Sequence, residues 1–304
     1  MSTPREPEPG VIARERRHLA NLAYRMLGSL TEAEDAVQEA FARWYALTGR
    51  QRAAVVSPGA WLTTVVSRIC LDVLGSARVR RERYVGAWLP EPLPDRAEWP
   101  AGSAGTADPA DQVAVDDSVR MALLVVLETM TPAERVAFVL HDVFRYPFPE
   151  IAEIVGRTPA ACRRLASSAR SRVTADRAPT SAPRQAALLH DFREAWQAGD
   201  IQTLVTLLDP GATMVADGGG LASAVRRTIE GSTDIAGYLM HIAALSPDLT
   251  LLERTVNGEP GLVAQRDGAT VTVAAFRLTE GRITHIWAVR NPDKLRPWST
   301  PAHP

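Results

Sequence analysis

The chain has 304 residues, 46% of them hydrophobic, and a formal net charge of −1. That length holds two or three compact domains able to bury their own cores. The charge balance excludes a globally basic nucleic-acid binder, so contact with a polyanion would have to come from locally clustered charge.

The start, Met1 to Gly10, is polar and proline-rich, with no apolar stretch of the kind a secretory leader carries. No apolar run approaches the ~20 residues of a membrane span. Cys70 and Cys162 lie far apart and match no metal spacing or disulfide framework. These features predict a soluble, cytoplasmic protein with no membrane association, no metal and no cofactor.

Residues 11–83 form a first block that is helical in pattern and has Pro58 as its sole proline. Thr31-Glu32-Ala33-Glu34 has the form of a capping box, and Ser57-Pro58 places a cap and a first-turn proline before Trp61. Between them Ala36, Val37, Ala40, Phe41 and Trp44 make an apolar stripe, with Asp35, Gln38, Glu39 and Arg43 on other faces. The helix after Pro58 carries Trp61 near its start, Thr63 and Thr64 beside it, Arg68 further on, and a basic tail with Arg78, Arg80 and Arg81. An aromatic beside hydroxyls and arginines suits single-stranded DNA, through stacking and backbone contacts; Trp61 as a plain core anchor is the equal alternative.

Residues 84–109 read as a linker, with Pro90, Pro92, Pro94, Pro100 and Pro109 among Gly, Ala and acidic residues. Helical patterning resumes over 110–177. Thr131-Pro132-Ala133-Glu134 and Thr158-Pro159 are further helix starts. Phe148 to Val155 reads as the first helix of a helix-turn-helix, with Ile151 and Val155 inward, Ala152 small at the crossing, and Gly156 at the left-handed turn position. The next helix is expected to bury Cys162, Leu165, Ala169 and Val173. Its outer face would carry Arg163, Ser167 and Arg170, with Arg164 and Ser168 beside them. Guanidinium forks and hydroxyls are what a major groove reads.

After a short break the third block, 184–298, changes character. One or two helices over 181–208, with Trp196 and Leu204 in the core, precede strands at 213–216, 225–230, 249–256, 261–265, 270–278 and 283–289. A helix over 232–243 separates two of them.

Together these segments resemble the extracytoplasmic-function sigma factors of the sigma-70 family, in the subgroup with a SnoaL-like C-terminal extension. Glu34 to Phe41 is similar to the region 2 helix that docks on core RNA polymerase, Trp61 to Arg81 to the part that melts and reads the −10 element, and Thr131 to Val173 to region 4, which reads the −35 element. The subgroup signals are Asp217-Gly218-Gly219-Gly220, followed here by Leu221 where lysine is usual, and Asn291-Pro292-Asp293-Lys294-Leu295.

The resemblance implies a multidomain architecture: an all-α region 2 bundle (11–83), the linker (84–109), an all-α region 4 helix-turn-helix (110–177) and an α+β SnoaL-like cone (184–298) with a curved antiparallel sheet. It implies core RNA polymerase, through its clamp coiled coil and flap, and promoter DNA as partners. The favoured reading of the C-terminal domain is regulatory: it packs on the sigma domains and biases them between open and closed forms. Core binding would fall to Asp35, Gln38, Glu39 and Phe41. The −10 element would be read by Trp61, Thr63, Thr64, Arg68, Arg78, Arg80 and Arg81, and the −35 element by Arg163, Arg164, Ser167, Ser168 and Arg170.

No catalytic residue is expected. Asp217, Arg226, His241 and His285 are the candidates for a cavity mouth, and no spacing forces them together. Two other readings stay open: a conventional helix-turn-helix regulator with a ligand-sensing C-terminal domain, and a pocket enzyme fused to a DNA-binding module. Arg163→Ala combined with Arg164→Ala is expected to abolish discrimination between native and altered −35 sequences in transcription assays; unchanged discrimination would remove those arginines from the reading face.

Overall fold

The computed structural model describes residues 9–82, 84–95, 113, 117–174, 182–222, 224–225 and 227–298. Its contacts divide into two units, one of residues 1–82, 107–114 and 126–175, the other of residues 83–106, 115–125 and 176–304.

In the first unit α1 (Pro9–Leu27), α2 (Leu30–Ala46), α3 (Gly49–Ala54) and α4 (Pro58–Glu82) follow one another. Leu19, Leu22, Ala23 and Met26 recur at helical spacing on α1 and are buried against the apolar stripes of α2 and α4. The cap of α2 is Ser29 rather than Thr31: the Ser29 hydroxyl accepts the Glu32 N–H at 3.2 Å. Gly28, at φ +69°, reverses the chain, so the helix is already under way when Thr31 is reached. α3 has a capping box of its own between Thr48 and Gln51.

The same unit holds the end of α5 (Met121–Glu128), then α6 (Pro132–Phe138), which runs into a π-helical turn (Val139–Val143), α7 (Phe148–Val155) and α8 (Pro159–Thr174). The expected start of α6 is present, with Thr131 and Glu134 bonding reciprocally. Glu134 also joins α6 to α8, since its Oε1 accepts from the Ser168 hydroxyl at 2.8 Å and lies 3.3 Å from Arg172. Arg135 joins α6 to α1 by donating to the Met26 carbonyl at 2.9 Å and to Glu128 at 2.7 Å; burial lowers its pKa to about 10.

In the second unit α9 (Ala182–Ala198) and α10 (Ile201–Leu207) lead into β1 (Leu208–Asp217) and β2 (Ile229–Glu230). Next come α11 (Ser232–Leu245), β3 (Thr250–Val256), β4 (Glu259–Arg266), β5 (Ala269–Thr279), β6 (Arg282–Val289) and a 3-10 segment, Pro292–Trp298. The strands form one sheet in the order β2-β1-β6-β5-β4-β3. The sheet is mixed rather than antiparallel, because β1 and β6 pair in parallel. A parallel pair needs a long connection, and the whole domain between these strands supplies it.

Alternation along the strands sorts the side chains onto two faces. Met214, Ala216, Ala274, Phe276, Ile286 and Ala288 face the core made with α9, α10 and α11. Val215, Val263, Val273, Ala275, Trp287 and Val289 face the other way, where they are covered by Leu89, Met121, Leu295 and Trp298. The linker residues 84–95 therefore lack regular structure, apart from one bridge at Pro94, and are nevertheless packed, with Leu89 3% and Leu93 1% exposed.

Burial pushes the Glu134 carboxyl up, but its bonds from Thr131 and Ser168 and the Arg172 guanidinium together hold it below the usual carboxylate range. A depressed folded-state pKa contributes stability that is present above the unfolded value of about 4.3 and is lost as pH falls through the folded one. Glu134→Gln is expected to cost about 1–2 kcal/mol near neutrality. Urea unfolding should show a shallower acid loss in the variant; an identical slope would exclude Glu134 as the source.

Candidate functional site

Gly156 adopts the left-handed conformation (φ +67°) that lets α7 turn into α8. The buried residues of α7 are Ile151, Ala152 and Ile154, so Ile154 takes the inward place expected of Val155. On α8 the buried stripe is Cys162, Ala166 and Ala169, while Leu165 and Val173 are half-buried; small side chains suit the close crossings this helix makes with α6 and α7.

Arg163, Arg164, Ser167 and Arg170 are exposed. The Arg163 guanidinium lies 5.3 Å from the centre of the Phe148 ring, which stacks on His141 at 4.0 Å. Arg170 is paired with Asp142 at 2.8 Å. Ser168 turns inward to Glu134, away from that exposed face. Its position one step past Ser167 rotates it by about 100° around the helix axis. Both cysteines are buried, and burial raises both thiols, most strongly Cys70; buried thiols of this kind are unreactive.

On α2, Asp35, Gln38 and Glu39 are exposed, with Glu39 paired to Arg43 at 2.8 Å. Phe41 is instead buried, its ring 6.3 Å from that of the more exposed Tyr45. On α4, Trp61 is half-buried with its ring 5.3 Å from Trp44. Thr64 bonds back to the Ala60 carbonyl.

Thr63 and Arg68 both meet the helix-turn-helix half of the same unit. The Thr63 hydroxyl lies 3.2 Å from the Tyr146 hydroxyl, which is also 3.1 Å from His18 Nε2, and Arg68 donates to the Glu153 carbonyl at 2.9 Å. Burial holds His18 below its ordinary value. Arg78, Arg80 and Arg81 fall on the last turns of α4, and their side chains lie outside the described residues.

In the second unit the two C-terminal motifs meet around the linker. Asp217, at the end of β1, is fully buried. Its Oδ1 accepts from the Tyr84 hydroxyl at 2.6 Å and the Gly219 N–H at 3.0 Å; its Oδ2 accepts from the Leu89 N–H at 2.9 Å and Lys294 Nζ at 2.8 Å. Lys294 also donates to the Leu89 carbonyl and sits 4.0 Å from the Trp88 ring centre. Asn291 donates to the Tyr84 hydroxyl at 2.8 Å.

Burial, then the bond to Asp217, raises the Tyr84 hydroxyl well above its ordinary pKa. A Cβ at Gly219 would collide with Asn291, and one at Gly220 would stand 3.0 Å from Val85, so these glycines permit a close approach as well as a turn. Further along the linker, Asn257 exchanges bonds with Leu93 and donates to the Val119 carbonyl at 2.8 Å, while the Trp298 indole donates to the Pro92 carbonyl at 2.9 Å.

Tyr84, Trp88, Leu89, Leu93, Asn257 and Trp298 were not anticipated as site residues. The available signals were the apolar run Tyr84-Val85-Gly86-Ala87-Trp88-Leu89 inside a proline-rich linker, and Asn257-Gly258 as a tight turn.

The candidate catalytic groups are not gathered. His241 lines a cavity on the helix-covered face of the sheet, whereas Asp217 is committed to the linker and His285 stacks on Trp287 of the other face. Arg226 lies outside the described residues. Among the described residues no group of three or more His, Cys, Asp or Glu could hold a metal ion, and no helix is long and apolar enough to cross a membrane.

Sigma-70 region 2 matches residues 11–83, and Sigma-70, region 4 matches residues 120–173. The ECF RNA polymerase sigma factor SigJ of Mycobacterium tuberculosis (strain ATCC 25618 / H37Rv) is 39% identical over 294 residues, covering 92% of this chain and 90% of SigJ. The "Probable ECF RNA polymerase sigma factor SigI" of Mycobacterium tuberculosis (strain CDC 1551 / Oshkosh) is 36% identical over 296 residues, covering 96% of each chain. The crystal structure of Mycobacterium tuberculosis SigJ aligns with a TM-score of 0.75 at 36% identity, over 97% of this chain and 100% of that one.

Removing one partner of a buried ion pair leaves the other charge uncompensated, at a cost of about 3–5 kcal/mol. Asp217→Asn and Lys294→Met are each expected to destabilise by that order in denaturant unfolding. The double variant should be less destabilised than the sum of the two; additive losses would mean the pair is not coupled.

Proposed function

The chain belongs to the extracytoplasmic-function RNA polymerase sigma factors, which direct promoter recognition and transcription initiation, and we propose that its SnoaL-like domain governs that activity by clamping the chain between regions 2 and 4. The bonds from Tyr84 and Leu89 to the buried Asp217 carry this reading. A conventional helix-turn-helix regulator has no use for a region 2, so the match over residues 11–83 speaks for a sigma factor.

In this proposal Asp35, Gln38 and Glu39 meet core RNA polymerase over a face packed from beneath by Phe41. Trp61, Thr63, Thr64 and Arg68, with the basic tail Arg78, Arg80 and Arg81, read the −10 element. Arg163, Arg164, Ser167 and Arg170 read the −35 element, with Ser168 as their packing support. The C-terminal domain has no catalytic role.

Geometry also supports a closed resting form. Elements named for positions −10 and −35 lie about 25 base pairs apart, or about 85 Å at 3.4 Å per base pair. A compact unit of about 140 residues has a radius of gyration of only about 14 Å. With Thr63 and Arg68 bonded to the helix-turn-helix half, the two readers cannot span their elements together. They must separate, and of the segment joining them, residues 83–125, the described stretches 84–95 and 117–125 belong to the C-terminal unit. Released, about 40 residues can stretch to over about 130 Å; clamped, they cannot.

The test is run-off transcription with core RNA polymerase and the full chain, comparing wild type with Tyr84→Phe. That substitution removes the hydroxyl shared by Asp217 and Asn291. Opening the clamp is expected to raise transcript yield severalfold. Equal yields would overturn the clamp as the control point, and no protein-dependent transcript from either form would overturn the promoter-directing assignment.

A further inference from the structure

The helix-covered side of the C-terminal domain is incompletely filled. A cavity of about 380 Å³ opens between the sheet, α9 and α11, within the size range of small-molecule sites. Its origin is legible in the register: Ala216 of β1 pairs with Ala288 of β6, which pairs with Ala274 of β5. Three alanines thus stand in one row across the middle of the sheet, where larger side chains would close the space. The surrounding wall is apolar and aromatic, including Phe192, Trp196, Met214 and Phe276. Leu245 stands at its edge 70% exposed, an apolar surface left to solvent.

The polar part of the lining has one sign. Among the described residues His241, Arg266 and Arg290 line the cavity, and no Asp or Glu does. Arg266 is engaged outside it, with Asp248 at 2.9 Å and the Ser246 hydroxyl at 2.7 Å. Burial raises the Tyr238 hydroxyl's pKa, opposed by the nearby Arg290 charge, so a phenol and a guanidinium share one part of the wall.

We propose that this cavity binds a largely apolar organic anion, an aromatic or medium-chain carboxylate, with its tail over the alanine row and its charged end toward Arg290 and Tyr238. Occupancy is sensed at the clamp, a consequence that rests on the function proposed above. Ala216 precedes Asp217 on the same strand, and the Arg290 and Asn291 N–H groups both donate to the Asp217 carbonyl, at 2.7 and 2.9 Å. The ligand wall and the clamp therefore share backbone, on opposite faces of one sheet.

The test titrates the full chain with anilinonaphthalene sulfonate, with decanoate and decanol as competitors, and follows exchange of the Leu89 amide, which donates to Asp217. Saturable probe binding is expected, displaced roughly tenfold more effectively by decanoate than by decanol. Ala274→Leu, which fills the cavity, should weaken probe binding by a similar factor, and Arg290→Gln should remove the preference for decanoate while keeping decanol binding. Decanoate should slow Leu89 exchange severalfold.

Equal binding by wild type and Ala274→Leu would overturn the site, and an unchanged decanoate preference in Arg290→Gln would overturn the anion. An unaltered Leu89 exchange at saturation would overturn the coupling. All three are read without polymerase, so their failure is separate from failure of the clamp in run-off transcription.

Discussion

The buried pair of Lys294 and Asp217 is the constraint around which the C-terminal domain is organised. A carboxylate and an ammonium taken out of water are tolerated only when attraction and hydrogen bonds replace what hydration supplied. Among the described residues of the domain itself, only Gly219 and Lys294 bond the carboxylate; the rest comes from Tyr84 and Leu89, more than 120 residues earlier. The apolar face beneath makes the same demand, since Val263, Val273, Trp287 and Val289 are covered by Leu89, Met121 and Trp298. Without the linker this sheet would present a hydrophobic face and an under-satisfied charge, so the SnoaL-like domain is complete only with that segment packed on it.

The sigma half shows a related economy. Thr63 and Arg68, assigned to the −10 element in the proposal, bond Tyr146 and Glu153 of the helix-turn-helix half. Arg170 likewise spends its charge on Asp142. Exposed ion pairs of this sort contribute about 0–1 kcal/mol, and a polyanion can displace them without unfolding anything. The contacts that hold the structure, such as Arg135 to Glu128 and Glu134 to Ser168, lie away from the exposed face of Arg163, Ser167 and Arg170.

What was legible in the sequence was local. Caps act over three residues, so the start of α6 at Thr131 and the turn at Gly156 could be read directly, and period-two alternation located all six strands of the sheet. Ser29 displaced Thr31 because both are good caps two residues apart, and chain reversal at Gly28 decided between them. Ile154 against Val155, and Ala166 against Leu165, were neighbouring choices on a 3.6-residue period that only the partner helix resolves. The parallel pairing of β1 with β6 and the joining of Tyr84 to Asn291, 207 residues apart, leave no local pattern. The glycines of the Asp217 motif and the Asn291 motif were each visible, but not that one makes room for the other.

The sequence has 34 basic Lys and Arg residues, and Lys294 is its one lysine. That lysine is enclosed by Asp217, the Leu89 carbonyl and the Trp88 ring. An arginine fork could not fit there as a point donor, whereas an ammonium on a flexible stem can. In a protein whose other side-chain cations are guanidinium and imidazole groups, the side-chain primary amine is thus a single buried atom where the C-terminal domain holds the linker. Amine-directed acylation of the folded chain would reach one side chain besides the α-amino group, and that side chain stays silent while the lysine is enclosed and reacts when it reaches water. The arrangement gives this sigma factor a built-in chemical address at the contact between its Asn291 motif and the linker.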